Sequence, residues 1–69
     1  MKVMASENSA DGRFCVDIFQ RADGTWGFEQ YRRDVEDGRW FPVSCYGAWV
    51  FPDAITARAR AVAEIDWFS

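Results

Sequence analysis

With 69 residues, eight basic and eleven acidic side chains and a formal charge of −3, the chain has room for one small core and no second domain. The acidic excess opposes the phosphate backbone that supplies most non-specific nucleic-acid affinity. Histidine is absent, which removes Ser-His-Asp and Cys-His nucleophiles and every imidazole metal site.

Leucine is also absent, while four Trp, six Phe and two Tyr are present. The core must therefore be built from rings, Ile, Val and Ala, because aromatic side chains offer the most apolar area per residue. No apolar run reaches the roughly 18 residues of a membrane span, and the first twelve residues lack the apolar stretch of a signal peptide. A cytoplasmic location is the expectation.

Residues 1–12, with Ser6, Glu7, Asn8, Ser9, Asp11 and Gly12, show no periodicity and are expected to form a disordered tail. A single α+β domain is expected over 13–69. Phe14, Val16 and Ile18 alternate with Cys15, Asp17 and Phe19, the period of a strand, placing the first over 13–20. Asp23-Gly24 then reads as a hairpin, because glycine accepts the positive φ of the turn, and a second strand follows over 26–33.

A three-residue loop with Gly24 in a bulge sets Ile18 opposite Phe28 and Asp17 opposite Glu29, gathering Val16, Ile18, Trp26 and Phe28 on one face. A two-residue turn would reverse those faces. Asp37-Gly38 reads as a second hairpin, leading into a strand over 39–45 on which Pro42, lacking an N–H, requires an edge. The expected fold is a three-stranded antiparallel β-meander against one C-terminal α-helix, with 46–51 either a short fourth strand or an extended connection.

Pro52 and Asp53 suit a helix start, and Ile55, Ala59, Val62 and Ile65 form the stripe expected to face the sheet. Trp67 and Phe68 are expected to fold back onto the sheet or to meet another chain. Cys15 and Cys45 are too few for a cysteine zinc site or a redox pair. In meander order they are separated by two strand spacings of about 4.8 Å, beyond the roughly 7 Å reach of a disulfide, so reduced thiols are expected.

No phosphate-cradling glycine motif is present. Asp17 with Glu29, and Asp34, Glu36 and Asp37, are the carboxylate groupings, read here as turn and rim residues. No catalytic residue, cofactor or metal is expected, and the chain is expected not to be an enzyme. One helix covers only one sheet face, so some of Phe19, Trp40, Trp49, Trp67 and Phe68 are expected to remain exposed as an interaction surface.

The partner is then a second copy, giving a homodimer, or an unknown protein; self-covering by 46–51 and the C-terminal residues is the alternative. A nucleic-acid reading would cast Trp26, Tyr31 and Trp40 as stacking platforms with Arg21, Arg32, Arg33 and Arg39. Six of the eleven acids lie between Asp17 and Asp37, which leaves no clean basic stripe.

The stretch FCVDIFQRADGTWGFEQY followed by SCYGAWVFPDAITARARAVAE resembles two sets of small bacterial strand-strand-strand-helix proteins, the HicB-like antitoxins and the YegP-like domains. The correspondence lies in the hairpin at Asp23-Gly24 and in the aromatic lead into an Ala-rich helix. It implies a non-enzymatic accessory or toxin-neutralising role and assigns no functional residue.

Overall fold

Three Asp-Gly dipeptides set the path of the chain. Gly12, Gly24 and Gly38 all take positive φ, at 74°, 88° and 74°, and each closes a hairpin. The computed structural model describes all of residues 1–69. It shows an antiparallel sheet in the simple order β1 (Lys2–Asn8), β2 (Phe14–Gln20), β3 (Trp26–Arg33) and β4 (Trp40–Pro42), followed by a 3₁₀ turn at Tyr46–Ala48 and the helix α1 (Ala54–Glu64).

The fold class is the expected one, with its extra strand at the opposite end. Residues 1–12 are not a disordered tail: Lys2–Asn8 pair with β2 from Lys2 opposite Gln20 to Asn8 opposite Cys15, with a register irregularity between Val3 and Ala5. The turn that permits this is Ser9–Gly12, where the Asp11 carboxylate accepts from the Ser9 hydroxyl at 2.7 Å and from the Arg13 N–H at 3.0 Å. Segment 46–51 is not a regular strand, and only Phe51 pairs with the sheet, exchanging hydrogen bonds with Trp26 at 2.8 and 2.9 Å.

The β2–β3 register is the bulged one, with Ile18 opposite Phe28 and Asp17 opposite Glu29. Gly24 N–H donates to the Arg21 carbonyl and Arg21 N–H to the Thr25 carbonyl, which closes a three-residue loop. Strand β4 is shorter than 39–45 and forms the far edge. Val43 N–H bonds the Gln30 carbonyl, so by alternation the Pro42 nitrogen faces away from the ladder, where its missing N–H costs nothing.

Helix α1 begins two residues later than Pro52 suggests, at Ala54. Asp53 is the N-cap, its carboxylate accepting the Thr56 N–H at 2.7 Å, which satisfies a donor the first turn would otherwise leave free. The buried stripe is Ala57, Ala61 and Ile65 rather than Ile55, Ala59 and Val62; Ile55 is 82% exposed. Ring volume explains the change of phase.

The core on this face joins Val16, Ile18 and Phe28 to Ala57, Ala61, Ile65 and Phe68, with Trp26, Tyr46, Trp49, Phe51 and Trp67 packed around it. With rings filling the sheet side, the helix reaches the sheet only where its own side chains are small.

Candidate functional site: the open face of the sheet

Alternation along each strand assigns the two faces. Val16, Ile18, Trp26, Phe28 and Gln30 lie under the helix, and only α1 and the 3₁₀ turn pack on the sheet. The opposite face carries Val3, Ser6, Cys15, Asp17, Phe19, Gly27, Glu29, Tyr31, Arg33, Trp40 and Pro42, and no element covers it.

Two devices keep this face from being a bare apolar plane. Phe19 lies across Gly27, where an added Cβ would stand 2.8 Å from its ring, and the Arg21 guanidinium stacks on it 5.0 Å from the ring centroid. Phe19 is thereby 4% exposed. Replacing a strand glycine by alanine ordinarily stabilises by about 0.4–1 kcal/mol through the unfolded chain. Here the sign reverses: Gly27→Ala displaces the Phe19 ring and destabilises by about 1–3 kcal/mol, read as a lowered urea midpoint with unchanged slope.

Arg21 is the second device. Its Nη1 donates to the Trp26 carbonyl at 3.1 Å and its Nη2 to the carbonyls of Gly47 and Trp49 at 2.7 and 3.0 Å. From the same edge Glu29 reaches over the sheet, Oε2 accepting the Gly47 N–H at 3.0 Å and Oε1 the Gln30 N–H at 3.1 Å. These two side chains strap 46–49 to the edge of β3 that the short β4 leaves unpaired.

What remains open is a cleft of about 250 Å³ lined by Ser6, Cys15, Asp17, Tyr31 and Trp40. The Ser6 hydroxyl donates to Asp17 Oδ1 at 2.7 Å and lies 3.2 Å from the Cys15 sulfur, while the Cys15 thiol reaches Asp17 Oδ1 at 3.5 Å. Burial, reinforced by the Asp17 charge, pushes the Cys15 thiol above its ordinary value. Burial, then the charges of Asp17 and Glu29, does the same to the Tyr31 phenol.

Both groups therefore stand protonated at neutral pH, and Cys15 is held as the thiol rather than the nucleophilic thiolate. Cys15 and Cys45 are both free, the first buried and the second exposed.

The aromatic residues expected to form one surface are dispersed. Phe19 and Phe68 are buried, Trp49 and Trp67 are half-buried, and Trp40 is 40% exposed. Trp67 and Phe68 fold back on the helix side, Trp67 Nε1 donating to Gln30 Oε1 at 2.9 Å. Of the two that lie on the open face, Phe19 is covered and Trp40 alone presents an exposed ring.

Arginine stacking accounts for much of this cover. Arg21, Arg33, Arg58 and Arg60 lie over Phe19, Trp40, Phe68 and Trp49 at 5.0, 5.9, 4.8 and 4.6 Å, a favourable cation–π geometry. The residues cast for base stacking are likewise separated. Trp26 is on the helix face, Tyr31 and Trp40 are on the open face, Arg32 lies on the opposite side from Arg33, and Arg21 is engaged with backbone carbonyls.

The turn carboxylates respond to acid. The Ser9 hydroxyl lowers the Asp11 pKa, the Thr25 side chain that of Asp23 and the Thr56 N–H that of Asp53, each from 3.8. Depressed folded values give stability that is present above pH 3.8 and lost as pH falls through them; the raised Cys15 and Tyr31 values give stability lost as pH rises past 9.0 and 10.0. The thermal midpoint is therefore expected to be flat between about pH 5 and 8 and to fall on both sides, as scanning calorimetry across pH would record.

No helix is long and apolar enough to cross a membrane. No protein-family model, curated protein or solved structure significantly matches the chain.

Proposed function

We propose that this chain is a non-catalytic cytoplasmic interaction module that pairs with a second copy through the open face of its sheet. The observation supporting it is that face itself: a four-stranded sheet with one side uncovered and Val3, Tyr31, Trp40 and Pro42 exposed or half-exposed upon it. Exposed apolar surface on a protein of this size marks association, and a two-fold pair is its commonest form. Histidine-free composition and a protonated Cys15 support the non-catalytic part of the reading.

The expected result is a mass near 16 kDa, twice the 8.0 kDa chain, by light scattering behind size exclusion, falling toward the monomer on tenfold dilution. A strict monomer at both concentrations overturns the pairing. The second reading, an antitoxin-like or nucleic-acid-associated regulator, is supported by the three-hairpin sheet with its single helix. It requires nucleic-acid binding that weakens steeply with salt as phosphate counterions are released.

A further inference from the structure

The open-face cleft has an unbalanced charge. Asp17 lies in its lining, and the only side chains bonded to that carboxylate are the neutral Ser6 hydroxyl and the Cys15 thiol. Glu29, opposite Asp17 across the strand pair and 8% exposed, is bonded only by backbone N–H groups. No Lys or Arg nitrogen comes within 4.0 Å of either carboxylate; the ion pairs of the chain involve Asp37, Glu7 and Glu64.

The Asp17 carboxylate, with no ion-pair partner, gives the cleft a local negative potential, which a concave site focuses; Glu29 lies outside the lining and shares Gly47 with the Arg21 guanidinium. The walls of the same cleft are aromatic, Tyr31 and Trp40; the Arg33 guanidinium that stacks on Trp40, 5.9 Å from its centroid, is not among the lining residues. Ring faces beside a carboxylate recognise cations that carry apolar substituents, because the ring quadrupole attracts the charge while the substituents shed water against carbon. An inorganic cation would instead require several converging oxygen ligands, and no group of three or more Cys, Asp or Glu converges anywhere in the chain.

We propose that the cleft formed by Ser6, Cys15, Asp17, Tyr31 and Trp40 is a binding site for an organic cation, an alkylammonium or guanidinium group, with Asp17 as counter-ion and Tyr31 and Trp40 as walls. The Ser6 hydroxyl orients the carboxylate by occupying one of its oxygens, leaving the other for the ligand. The site is complete within one chain, and a second copy pairing through this face would compete with the ligand for Trp40.

The test is an amide and indole NMR titration of the full chain, at a dilution where light scattering gives the monomer mass. The probes are tetramethylammonium and methylguanidinium, with tert-butanol as a neutral probe of comparable size. The expected result is saturable shifts at Ser6, Asp17, Tyr31 and the Trp40 indole, with a dissociation constant on the order of millimolar, and none with tert-butanol. Asp17→Asn, which keeps an acceptor for Ser6, weakens the cation by about tenfold or more while leaving the rest of the spectrum in place.

Trp40→Ala weakens tetramethylammonium comparably. Absence of saturable shifts, equal response to tert-butanol, or undiminished binding in Asp17→Asn each overturns the proposal. A monomer mass at every concentration overturns pairing and leaves this titration fully readable.

Discussion

Phe28→Ala lowers the free energy of unfolding by about 3–5 kcal/mol, out of a total that for a chain of this length is about 3–10 kcal/mol. The ring is fully buried at the middle of β3 and is the hub of the aromatic packing. Its centroid lies 5.0 Å from Tyr46, 6.0 Å from Trp49 and 5.8 Å from Phe51, and the helix packs on it through Ala57 and Ala61.

Truncation removes the transfer free energy of the ring and leaves a void bounded by other rigid rings, which cannot collapse into it. Equilibrium urea unfolding followed by tryptophan fluorescence measures the loss. A cost below about 1.5 kcal/mol would mean the ring cluster is repacked, since that is the range of tolerated volume-conserving swaps.

Arg21→Ala costs about 2–3 kcal/mol, from three carbonyl hydrogen bonds to a charged donor at up to about 1.5–3 kcal/mol each, discounted because the guanidinium is half-exposed and water replaces part of it. The effect is also local. Without Arg21, segment 46–51 keeps the Glu29 contact, the Phe51–Trp26 bonds, the Arg60 stack on Trp49 and its ring packing, so hydrogen exchange at the Trp26 and Phe51 amides accelerates more than at mid-β2 amides.

Arg21→Lys recovers less than half of the loss, because one ammonium cannot span the Trp26, Gly47 and Trp49 carbonyls that the planar fork serves together. Equal exchange at both sites in Arg21→Ala would show that the strap is held by the rings alone.

The central hairpin was legible in the sequence because turn chemistry and face pattern agree there. Gly24 supplies the positive φ, and only the bulged register puts Val16, Ile18 and Phe28 together. Strand β1 was not, since its outer edge is unpaired and Ala5 is its only side chain against the core, leaving little hydrophobic alternation to detect. The usable signal was Asp11-Gly12, the same dipeptide that marks the other two hairpins.

The helix phase was hidden for a packing reason. Hydropathy ranks isoleucine and valine above alanine, whereas a sheet loaded with rings admits only alanine at close approach. Burial of Phe19 followed from the register already in hand, which sets it opposite Gly27; the missing step was the stacking of Arg21 across it. The open-face cleft was half visible, with Asp17 and Glu29 recognised as cross-strand neighbours. Ser6 entered only with β1, and Trp40 only with the β3–β4 register.

The outer side of α1 carries a second exposed apolar stripe through Ile55 and Val62, so association by itself does not locate the contact. The measurement that does is light scattering at two concentrations on Trp40→Asp and Ile55→Asp beside the unaltered chain, with near-ultraviolet circular dichroism to verify the fold of each. Pairing through the open sheet face predicts a monomer for Trp40→Asp and an unchanged, concentration-dependent dimer for Ile55→Asp; a monomer for Ile55→Asp with the dimer kept in Trp40→Asp would place the contact on the helix and contradict it.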